Sequence, residues 1–582
     1  MQNLEELLAS EFSTFPHRLK FSVCSNNDYD YQANINQLII SDKKTDLIGF
    51  ITENKTINDI FTYGFVSIEE KTHFVCFATK KEYIHSMLIK FNENNDEFEL
   101  LQRVKASKII LYDYSSPNMA KDMHVGHLRS TILGDCLANI SEFLGNTVLR
   151  INHLGDFGLP FGMIIEYVIS NDVIVDETTS LQQLYILAKK SFDSDDIFKQ
   201  NAYIRTGELQ LESDDHISVK QWNLIFKHSL KSYQQVYELL NISSNLTVIG
   251  ESFYIRYIDE VKLLLDSAGK TEVDSDGKTI VNVSGLIPLI YMKSGTRGSA
   301  YTYDTTDIAT LWYRIYHQYA DNVYYVVDNG QSLHFKQLFK LGEEMGWTKG
   351  KTVEHISFGV ITGSNRQRIK SRSGDTPKLM DLINDGIEVT TETFLKRKTD
   401  GESVGKTADE LAVLSDDEKI TIKNVAIGSI KYYELSRCRT TSYQFNFDEM
   451  LRYEGNTYTY LIYSIARCRG VIENFKKSVP MDMVFNPDEL SAEDYKVLKK
   501  INYFPNTIKR TFDSQMPHHL CEYVHKLSSA FHENYTNTRC LQFDSTGILT
   551  SYNQSRIIMY MLVSKILKTS CTLLGVPIIN KI

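Results

Sequence analysis

Residues 108–152 restrict the possible fold classes of this chain most, because their pattern predicts a strand, a turn, a helix and a second strand in succession. Residues 108–114 are an apolar run of strand length, and residues 115–118 have the Ser, Pro and Asn composition of a turn. Apolar residues recur every three or four positions through 126–143, which predicts an amphipathic helix, and Gly145 stands where glycine often follows a helix. With a second strand at 147–152, this βαβ pattern predicts an α/β domain with a parallel sheet.

Further along the chain the pattern recurs and then changes. The strand-like residues 322–327 precede a helix predicted from Ser332, which adds a βα unit to the same sheet. Residues 170–220 are acid-rich and are predicted to be irregular. The last 160 residues are predicted to be helical, for example at 460–475 and 555–574.

A chain of 582 residues is too long for one hydrophobic core, so several domains are expected. The acidic stretch at 92–97 indicates a boundary, and the polar, glycine-containing stretch near residue 400 indicates a linker. The predicted organisation is an α+β N-terminal domain (1–100), an α/β domain (101–395) with an insertion around 170–300, a linker (396–420) and an all-α C-terminal domain (421–582).

Composition argues against several classes of protein. The eight cysteines form no CxxC pair, so neither a disulfide framework nor a zinc cluster is indicated, and no metal site is predicted. No apolar run approaches the roughly 18 residues that cross a bilayer, and the first residues are acidic where a presequence is basic. We therefore expect a soluble protein of a reducing, cytoplasmic compartment with no membrane partner.

The net charge of −10 argues, taken alone, against a nucleic-acid partner, but the charge is unevenly distributed. From Leu451 to the end there are 16 Lys and Arg residues and 11 Asp and Glu residues. A mildly basic C-terminal part on an acidic body is compatible with a partner that has a phosphate backbone. A solvated surface with no partner would explain the same imbalance.

The sequence His124-Val125-Gly126-His127 at the start of the first predicted helix is the strongest chemical signal. The histidines are three positions apart, so both imidazoles can face one side. Unpaired N–H groups at a helix N-terminus attract phosphate, and two imidazoles there can stabilise charge on a phosphoryl group in transfer. Gly126 would let a planar adenine lie against the backbone. The alternative is two unrelated histidines, one of them a helix cap.

The motif and its surroundings resemble one enzyme family. HVGH is similar to the HIGH signature of class I aminoacyl-tRNA synthetases, and its context, SSPNMAKDMHVGHLRSTILGD followed by NHLGDFG, resembles the arginyl-tRNA synthetases. The resemblance covers most of 105–475 in order and is looser over the first hundred residues. It extends through Tyr303–Asp307, Asp328–Phe335, Phe358–Gly359, Lys370–Thr376, Tyr453–Thr457 and Leu573–Val576.

This resemblance implies a Rossmann-like, doubly wound catalytic domain and an all-α tRNA-binding domain. It implies an enzyme that activates L-arginine with ATP·Mg²⁺ and transfers arginine to the 3′ end of its tRNA, with no tightly bound metal. Arginine activation is expected to need bound tRNA, and a monomer is expected.

Matching positions carry the family's roles to individual residues. Asp113 and Asp307 would face the substrate guanidinium, because a planar cation suits carboxylates, and Tyr303 would pack beside it. The remaining roles are implied by the matching positions. Arginine would also contact Ser116, Pro117, Asn118, His127 and Gln331; ATP would contact His124, Gly126, His127 and His334, with Lys121 near its phosphates; tRNA would contact Glu454, Gly455, Asn456, Tyr460, Tyr463 and Arg467.

The sequence departs from the family pattern in two places. The usual Trp and Gln after the second strand are Phe157 and Pro160 here, which would alter local packing. The mobile lysine loop has Gln367 where a lysine is common, so Lys370 and Arg368 are the candidates for contacting the leaving pyrophosphate. A flexible basic surface loop is the alternative for this segment.

Two rival functions belong to other classes. A synthetase-like protein that binds tRNA without catalysis would not need both histidines of HVGH and both carboxylates. A small-molecule nucleotidyltransferase shares HxGH and the sheet, but it would not need a long helical C-terminal module.

Overall fold

The structure is a computed structural model of the chain and falls into two compact units. The composite unit contains Met1–Val104, Arg452–Thr572 and Ile578–Ile582, and the central unit contains Lys105–Leu451 and Leu573–Pro577. The structure describes all residues apart from 25–28, 42, 69–70, 95–98, 102–106, 120, 177–178, 210–215, 294–299, 363–377, 402–413, 480–482 and 580–582.

The N-terminal part of the composite unit is an α+β fold. Its elements are α1 (Leu4–Glu11), β1 (Phe21–Val23), β2 (Tyr31–Asn34), α2 (Asn36–Ile40), α3 (Lys44–Glu53), α4 (Lys55–Ile60), β3 (Phe61–Ile68), β4 (Thr72–Thr79) and α5 (Lys81–Glu93). The strands form an antiparallel sheet in the order β1–β2–β4–β3. A largely aromatic core that includes Phe12, Tyr31, Phe61 and Phe77 packs against this sheet.

The central unit alternates strands and helices. Its first elements are β5 (Ile109–Asp113), α6 (Val125–Phe143), β6 (Thr147–Asn152), α7 (Leu159–Ser170), α8 (Leu181–Ser194), α9 (Asp196–Glu208), α10 (Ile217–Leu239), β7 (Thr247–Val248) and α11 (Ile258–Ser267). The elements that follow are β8 (Thr271–Val273), β9 (Thr279–Val281), β10 (Leu289–Lys293), β11 (Ala300–Tyr301), α12 (Tyr303–Tyr316), β12 (Asn322–Tyr325), α13 (Ser332–Glu344), β13 (Thr352–His355), β14 (Ile361–Thr362), α14 (Leu379–Gly401), α15 (Asp416–Leu435), β15 (Tyr443–Gln444) and α16 (Phe447–Met450).

A parallel sheet in the order β13–β12–β5–β6–β7 forms the core of this unit. The chain winds outward from the central strand β5 in both directions, which confirms the Rossmann-like, doubly wound prediction. The predicted βαβ unit is β5, α6 and β6. Gly145 has φ of 95° just beyond the last residues of α6, where L-residues with side chains are disfavoured.

The prediction that residues 170–220 are irregular is wrong. These residues contain α8, α9 and the start of α10, and α8 and α9 pack against α7. The buried positions of α8, Leu181, Leu184, Ala188 and Phe192, have helical spacing, but polar and charged residues between them obscured the pattern. Of the two departures noted after β6, Pro160 is accommodated locally, since it lies in the first turn of α7, where its missing N–H has no helical partner to lose.

The predicted linker is helical at both ends. Helix α14 continues to Gly401, and α15 begins at Asp416, where the side chain of Ser415 accepts from the N–H of Glu418. The two helices pack together, and Lys398 pairs with Glu418 at 2.7 Å. The middle of the predicted linker lies outside the described residues.

The C-terminal part of the composite unit is mainly helical, as predicted. Its elements are α17 (Tyr458–Ser478), α18 (Ala492–Asn502), α19 (Phe504–Ser514), α20 (His518–Asn537), β16 (Leu541–Phe543), β17 (Leu549–Tyr552) and α21 (Gln554–Leu573). The antiparallel pair β16–β17 was not anticipated by the all-α prediction. No helix within the described part of the chain is both long and apolar enough to cross a bilayer.

Polar contacts join the N-terminal and C-terminal parts of the composite unit. The hydroxyl of Tyr503 donates to Asp30 at 3.2 Å, and the amide of Asn506 donates to Glu5 at 3.1 Å. Helices α1 and α19 pack directly against each other. Two segments that are far apart in sequence therefore fold as one unit.

Candidate active site

A cavity of about 870 Å³ lies where the parallel strands of the central unit end. Asp113 ends β5, His153 follows β6, Glu251 lies shortly after β7, Val326 follows β12 and Phe358 lies shortly after β13. All five residues line the cavity. This placement is typical of open α/β sheets, whose ligands bind outside the carboxyl ends of the strands.

Most residues predicted to contact arginine or ATP line this cavity. Its lining includes Asp113, Ser116, Asn118, His124, Gly126, His127, Tyr303, Asp307, Gln331 and His334. The fold therefore gathers three distant segments of the chain around one space. The roles of these residues in binding remain predictions.

Of the other residues predicted to contact arginine or ATP, two are described and are not part of this lining. Pro117 is buried in its turn. Lys121, predicted to lie near the phosphates, has its Nζ 4.6 Å from the centroid of the Tyr185 ring in α8, a cation–π contact. Arg368 and Lys370 fall outside the described residues.

His124 and His127 cap the helix that they begin. Nδ1 of His124 accepts from the N–H of Gly126 at 3.0 Å, and Nδ1 of His127 accepts from the N–H of His124 at 3.0 Å. Because both Nδ1 atoms are acceptors, each neutral ring carries its proton on Nε2. The capping role raised as an alternative therefore occupies one nitrogen of each ring and leaves an Nε2–H donor for a ligand.

The protein holds both imidazoles in the neutral form. Burial lowers the pKa of His124, and the charge of Asp328 offsets this only in part. Burial and the neighbouring His124 lower the pKa of His127 to about 3. At neutral pH the two rings thus offer hydrogen-bond donors without a fixed charge.

Asp307 on α12 and His334 on α13 form a pair that also lines the cavity. His334 Nε2 lies 2.7 Å from Asp307 Oδ2, and its Nδ1 lies 3.2 Å from Asp304 Oδ1. Burial lowers the pKa of His334, but the hydrogen bonds to Asp304 and Asp307 outweigh burial and raise it to about 9. Both ring nitrogens of His334 lie beside carboxylates, and its contact with ATP stays a prediction.

This pair predicts a specific pH dependence of stability. The pKa of His334 is about 9 in the folded protein against an ordinary value of 6.5, so its stabilising contribution is complete below pH 6.5 and is lost as pH rises through about 9. We expect His334→Gln to lower Tm at pH 6.5 and the difference from wild type to shrink above pH 9. Thermal unfolding followed against pH tests this, and a constant difference would contradict it.

Asp113 has a protein partner that the sequence did not reveal. Nη2 of Arg314 lies 2.7 Å from Asp113 Oδ2, and the two side chains are 0% and 5% exposed. The hydroxyl of Ser116 donates to Oδ1 of Asp113 at 2.7 Å. Asp113 also lines the cavity, so its contact with the substrate guanidinium stays a prediction, and a guanidinium of the protein already balances this carboxylate.

Glu251 is a cavity residue that sequence reasoning missed. Burial raises its pKa well above the ordinary value, and the charges of Asp307 and Asp156 raise it further. Asp156 holds the segment in place by accepting from the N–H and the hydroxyl of Ser252 at 2.9 and 2.7 Å. A buried carboxyl beside a second carboxylate is stabilised in its charged form when a cation enters. The one feature that could have identified Glu251 as a cavity residue is its position shortly after a strand of the parallel sheet.

His153 also lines the cavity beside Asp307. Its Nε2 lies 3.8 Å from Asp307 Oδ1, and neither ring nitrogen has a hydrogen-bond partner among the described residues. Burial lowers the pKa of His153, so the ring is neutral and one nitrogen is an acceptor. Asp307, Glu251 and His153 therefore form a set of acceptors suited to a cation with several N–H groups.

The turn between β5 and α6 has an unusual backbone. Ser115 and Ser116 have φ of 70° and 44°, a left-handed conformation that costs about 1–3 kcal/mol for such residues. The hydroxyl of Ser130 accepts from the N–H of Ser115 at 2.9 Å, and the amide oxygen of Asn152 accepts from the N–H of Ser116 at 3.0 Å. These bonds hold the turn that presents Ser116 and Asn118 to the cavity.

The composite unit carries a separate cluster at the positions predicted to contact tRNA. The guanidinium of Arg467 lies 4.5 Å from the ring centroid of Tyr463 and 5.0 Å from that of Tyr535. Nη1 of Arg467 lies 3.1 Å from Nδ1 of His532, whose pKa is lowered to about 4 by burial and by Arg467. The ring of Tyr460 packs on His532 at 5.0 Å. Tyr463 and Tyr535 are each 38% exposed, so the cluster presents aromatic faces and a cation to solvent.

The other predicted tRNA contacts lie just before α17. Glu454, Gly455 and Asn456 form a bend in which Gly455 has φ of 81°. Glu454 and Gly455 are exposed. The side chain of Thr457 closes the bend by donating to the carbonyl of Arg452 at 2.8 Å.

Two family models match the chain. The model described as tRNA synthetases class I (R), catalytic domain, matches residues 93–447, and the model described as DALR anticodon binding domain matches residues 461–582. Together they span the central unit and the helical part of the composite unit.

Relatives that match about four fifths of this chain, and solved structures that match its full length, are named as arginine–tRNA ligases or arginyl-tRNA synthetases. An arginine–tRNA ligase of Acanthamoeba polyphaga mimivirus is 35% identical over 82% of this chain and 76% of its own length. A cytoplasmic arginine–tRNA ligase of Xenopus tropicalis is 36% identical over 81% of this chain and 71% of its own. The arginyl-tRNA synthetase of Plasmodium falciparum, 27% identical, superposes with a TM-score of 0.79 over the full length of both chains. The Thermus thermophilus enzyme, at 16% identity and a TM-score of 0.75, covers 100% of this chain and 99% of its own and shows the same fold.

The doubly wound sheet, the capped HVGH helix and the family model together define a class I aminoacyl-tRNA synthetase. Enzymes of this class join an amino acid to tRNA at the expense of ATP. Within the class, the chain belongs to the arginyl-tRNA synthetase family.

Proposed function

We propose that the cavity of the central unit binds ATP at the start of α6 and arginine between Asp307 and Glu251. A carboxylate oxygen of arginine would attack the α-phosphorus of ATP, forming arginyl-adenylate and breaking the bond to pyrophosphate. The 3′-terminal ribose hydroxyl of tRNA would then attack the arginyl carbonyl, and AMP would leave. Positioning and charge stabilisation carry such phosphoryl transfer, so no covalent nucleophile of the protein is needed.

The nucleotide end would comprise His124, Gly126, His127 and the opposite wall at 358–362. The N-terminus of α6 and the two Nε2–H groups would stabilise negative charge that builds on the α-phosphate. A Cβ at Gly126 would lie 2.7 Å from the His124 ring, so a glycine keeps the ring in place and leaves the backbone open to a flat base.

The arginine end would discriminate by geometry and charge. Asp307 and Glu251 would accept from different edges of the guanidinium, with the free ring nitrogen of His153 as a further acceptor. Asp113 would act through the turn, by fixing Ser116 and Arg314, and Asn118 and Gln331 would hold the amino and carboxyl groups of arginine. Tyr303 would cover the side chain from α12, since its ring contacts His334 at 5.4 Å.

The remaining steps involve groups outside these contacts. Mg²⁺ would arrive bound to the phosphates of ATP, whose oxygens are the ligands it prefers. Arg368 and Lys370 would contact the leaving pyrophosphate. We further propose that the protein acts as a monomer. We propose that it acts in the cytoplasm, because the name of the Xenopus tropicalis relative describes that protein as cytoplasmic.

The observation that carries this proposal is the convergence of Asp307, Glu251 and His153 at one end of the cavity that also contains HVGH. The forked N–H donors of a guanidinium can pair with all of these acceptors. The compact ammonium of lysine would leave some of them unpaired. We expect kcat/KM for charging tRNA with arginine to exceed that with lysine by about 10²–10⁴-fold. Competing radiolabelled arginine and lysine in one aminoacylation reaction measures this ratio, and a ratio near one would refute the assignment.

The proposed tRNA surface is the cluster of Tyr460, Tyr463, Arg467, His532 and Tyr535, named here the Arg467 cluster. Its exposed rings can stack with unpaired bases, and its cation can pair with phosphate. The proposal is supported by the match of this part of the chain to an anticodon binding domain.

We expect Arg467→Ala to raise KM for tRNA about fivefold or more and to make the salt dependence of tRNA binding less steep by about one ion. Arg469→Ala is the matched control, because Arg469 lies two residues further along α17 and pairs with Glu473 at 3.3 Å. Steady-state aminoacylation at several salt concentrations measures both quantities. Equal effects of the two substitutions would remove the Arg467 cluster from the tRNA surface.

A further inference from the structure

Arg129 is a fully buried arginine two residues after His127 in α6, and its side chain is 0% exposed. Its Nε donates to Glu434 at 2.8 Å, and its Nη1 donates to the carbonyls of Gly359 and Thr441 at 2.8 and 2.9 Å. Its Nη2 donates to the carbonyl of Arg439 at 3.1 Å. A single guanidinium therefore joins the HVGH helix to three other segments of the central unit.

The faces of the guanidinium are also in contact. Its carbon lies 5.7 Å from the ring centroid of Phe358 and 5.2 Å from that of Tyr443. The hydroxyl of Tyr443 donates to the second carboxylate oxygen of Glu434 at 2.6 Å, which fixes the anion that pairs with Arg129. Burying this charge is costly unless each donor finds an acceptor, and here the acceptors are in place.

The backbone that Arg129 holds forms one wall of the cavity. Gly359 donates its N–H to the carbonyl of Arg439 at 3.0 Å, and Val360 donates to the hydroxyl of Ser442 at 3.0 Å. A Cβ at Gly359 would lie 2.7 Å from the backbone of Thr441 and Ser442, so the two segments are in close contact. Gly359 and Val360 line the cavity together with the start of α6.

We infer that Arg129 is a positioning residue for ATP. Arg129 would position ATP by fixing the distance between the start of α6 and the wall at Phe358–Val360. The nucleotide is proposed to bind between these two sides. This inference rests on the proposed nucleotide end. None of the backbone groups that Arg129 holds belongs to Asp307, Glu251 or His153, so its effect is specific to the nucleotide.

The test is Arg129→Lys, which keeps the charge but offers a point donor that cannot reach the carboxylate and three carbonyls together. We expect KM for ATP in aminoacylation to rise at least about tenfold, while KM for arginine and KM for tRNA stay within about twofold. The matched control is Arg150→Lys, because Arg150 is a buried arginine of the same unit that pairs with Glu142 at 2.8 Å and does not line the cavity. Its KM for ATP is expected to match wild type.

Tyr443→Phe is a second, milder variant in case Arg129→Lys fails to fold. It removes only the hydrogen bond that fixes Glu434, and we expect KM for ATP to rise about two- to fivefold with KM for arginine unchanged. A loss of Tm with no selective change in KM for ATP, or a change shared equally by all three substrates, would overturn the inference. His124→Ala tests the proposed nucleotide end independently: if it raises KM for ATP while Arg129→Lys does not, only the role of Arg129 is wrong.

Discussion

Replacing His127 by alanine is expected to lower kcat for arginylation by about 10²–10³-fold, with a smaller change in KM for ATP. The ring is neutral because burial and His124 lower its pKa to about 3, and its Nδ1 is occupied by the N–H of His124. Nε2–H is therefore a fixed donor whose interaction strengthens as negative charge develops on the phosphate. Single-turnover rates of arginyl-tRNA formation, measured with saturating ATP, arginine and tRNA, separate this effect on catalysis from an effect on binding.

The cap that His127 provides to α6 must be distinguished from its role at the phosphate. His127→Gln supplies this control, because glutamine at the same position of a capping box can still accept from the N–H of His124. We expect His127→Gln to retain the Tm of the wild type and to recover only part of the lost kcat. Near-normal turnover in His127→Ala would show that the HVGH helix does not contact the reacting phosphate.

Asp307→Asn is expected to raise KM for arginine at least about tenfold while KM for ATP changes little. The substitution keeps the shape of the side chain and removes the charge that a guanidinium would meet. It also weakens the 2.7 Å hydrogen bond between Asp307 and His334. Asp304→Asn is therefore the matched control, because it weakens the other contact of the His334 ring and Asp304 does not line the cavity. Steady-state kinetics with arginine and ATP varied in turn give both constants.

The neighbouring carboxylates make the result more specific. Glu251→Gln is expected to raise KM for arginine by a similar factor, since Glu251 has no cation of its own among its described contacts. Asp113→Asn should have a milder effect on KM, because Arg314 and Ser116 engage both carboxylate oxygens of Asp113, whereas the hydrogen bond of Asp307 to His334 engages only its Oδ2. If Asp307→Asn left KM for arginine unchanged, the arginine end of the cavity would be wrongly assigned.

The sequence predicted those features that depend on local spacing. The βαβ unit and the histidines at the start of α6 follow from periodicity, turn composition and a short motif within 108–152, whereas the doubly wound sheet was implied by the family resemblance. Helices α8 and α9 were missed because polar and charged residues masked a regular spacing of apolar ones.

Partnerships between distant residues could not be predicted in the same way. The pairing of Asp113 with Arg314 and that of Arg129 with Glu434 join residues about two to three hundred positions apart. Each depends on the packing of whole helices against the sheet, which no local pattern specifies. Glu251 is a similar case. It lines the cavity because β7, which precedes it, pairs with β6 in the parallel sheet, and no sequence motif marks this position.

ATP–pyrophosphate exchange with each amino acid, in the presence and absence of tRNA, tests the central claim most directly. It measures formation of the aminoacyl-adenylate independently of transfer to tRNA. We expect exchange with arginine alone among the amino acids, and only when tRNA for arginine is bound. Exchange supported by another amino acid, or no exchange with arginine in the presence of that tRNA, would contradict the account.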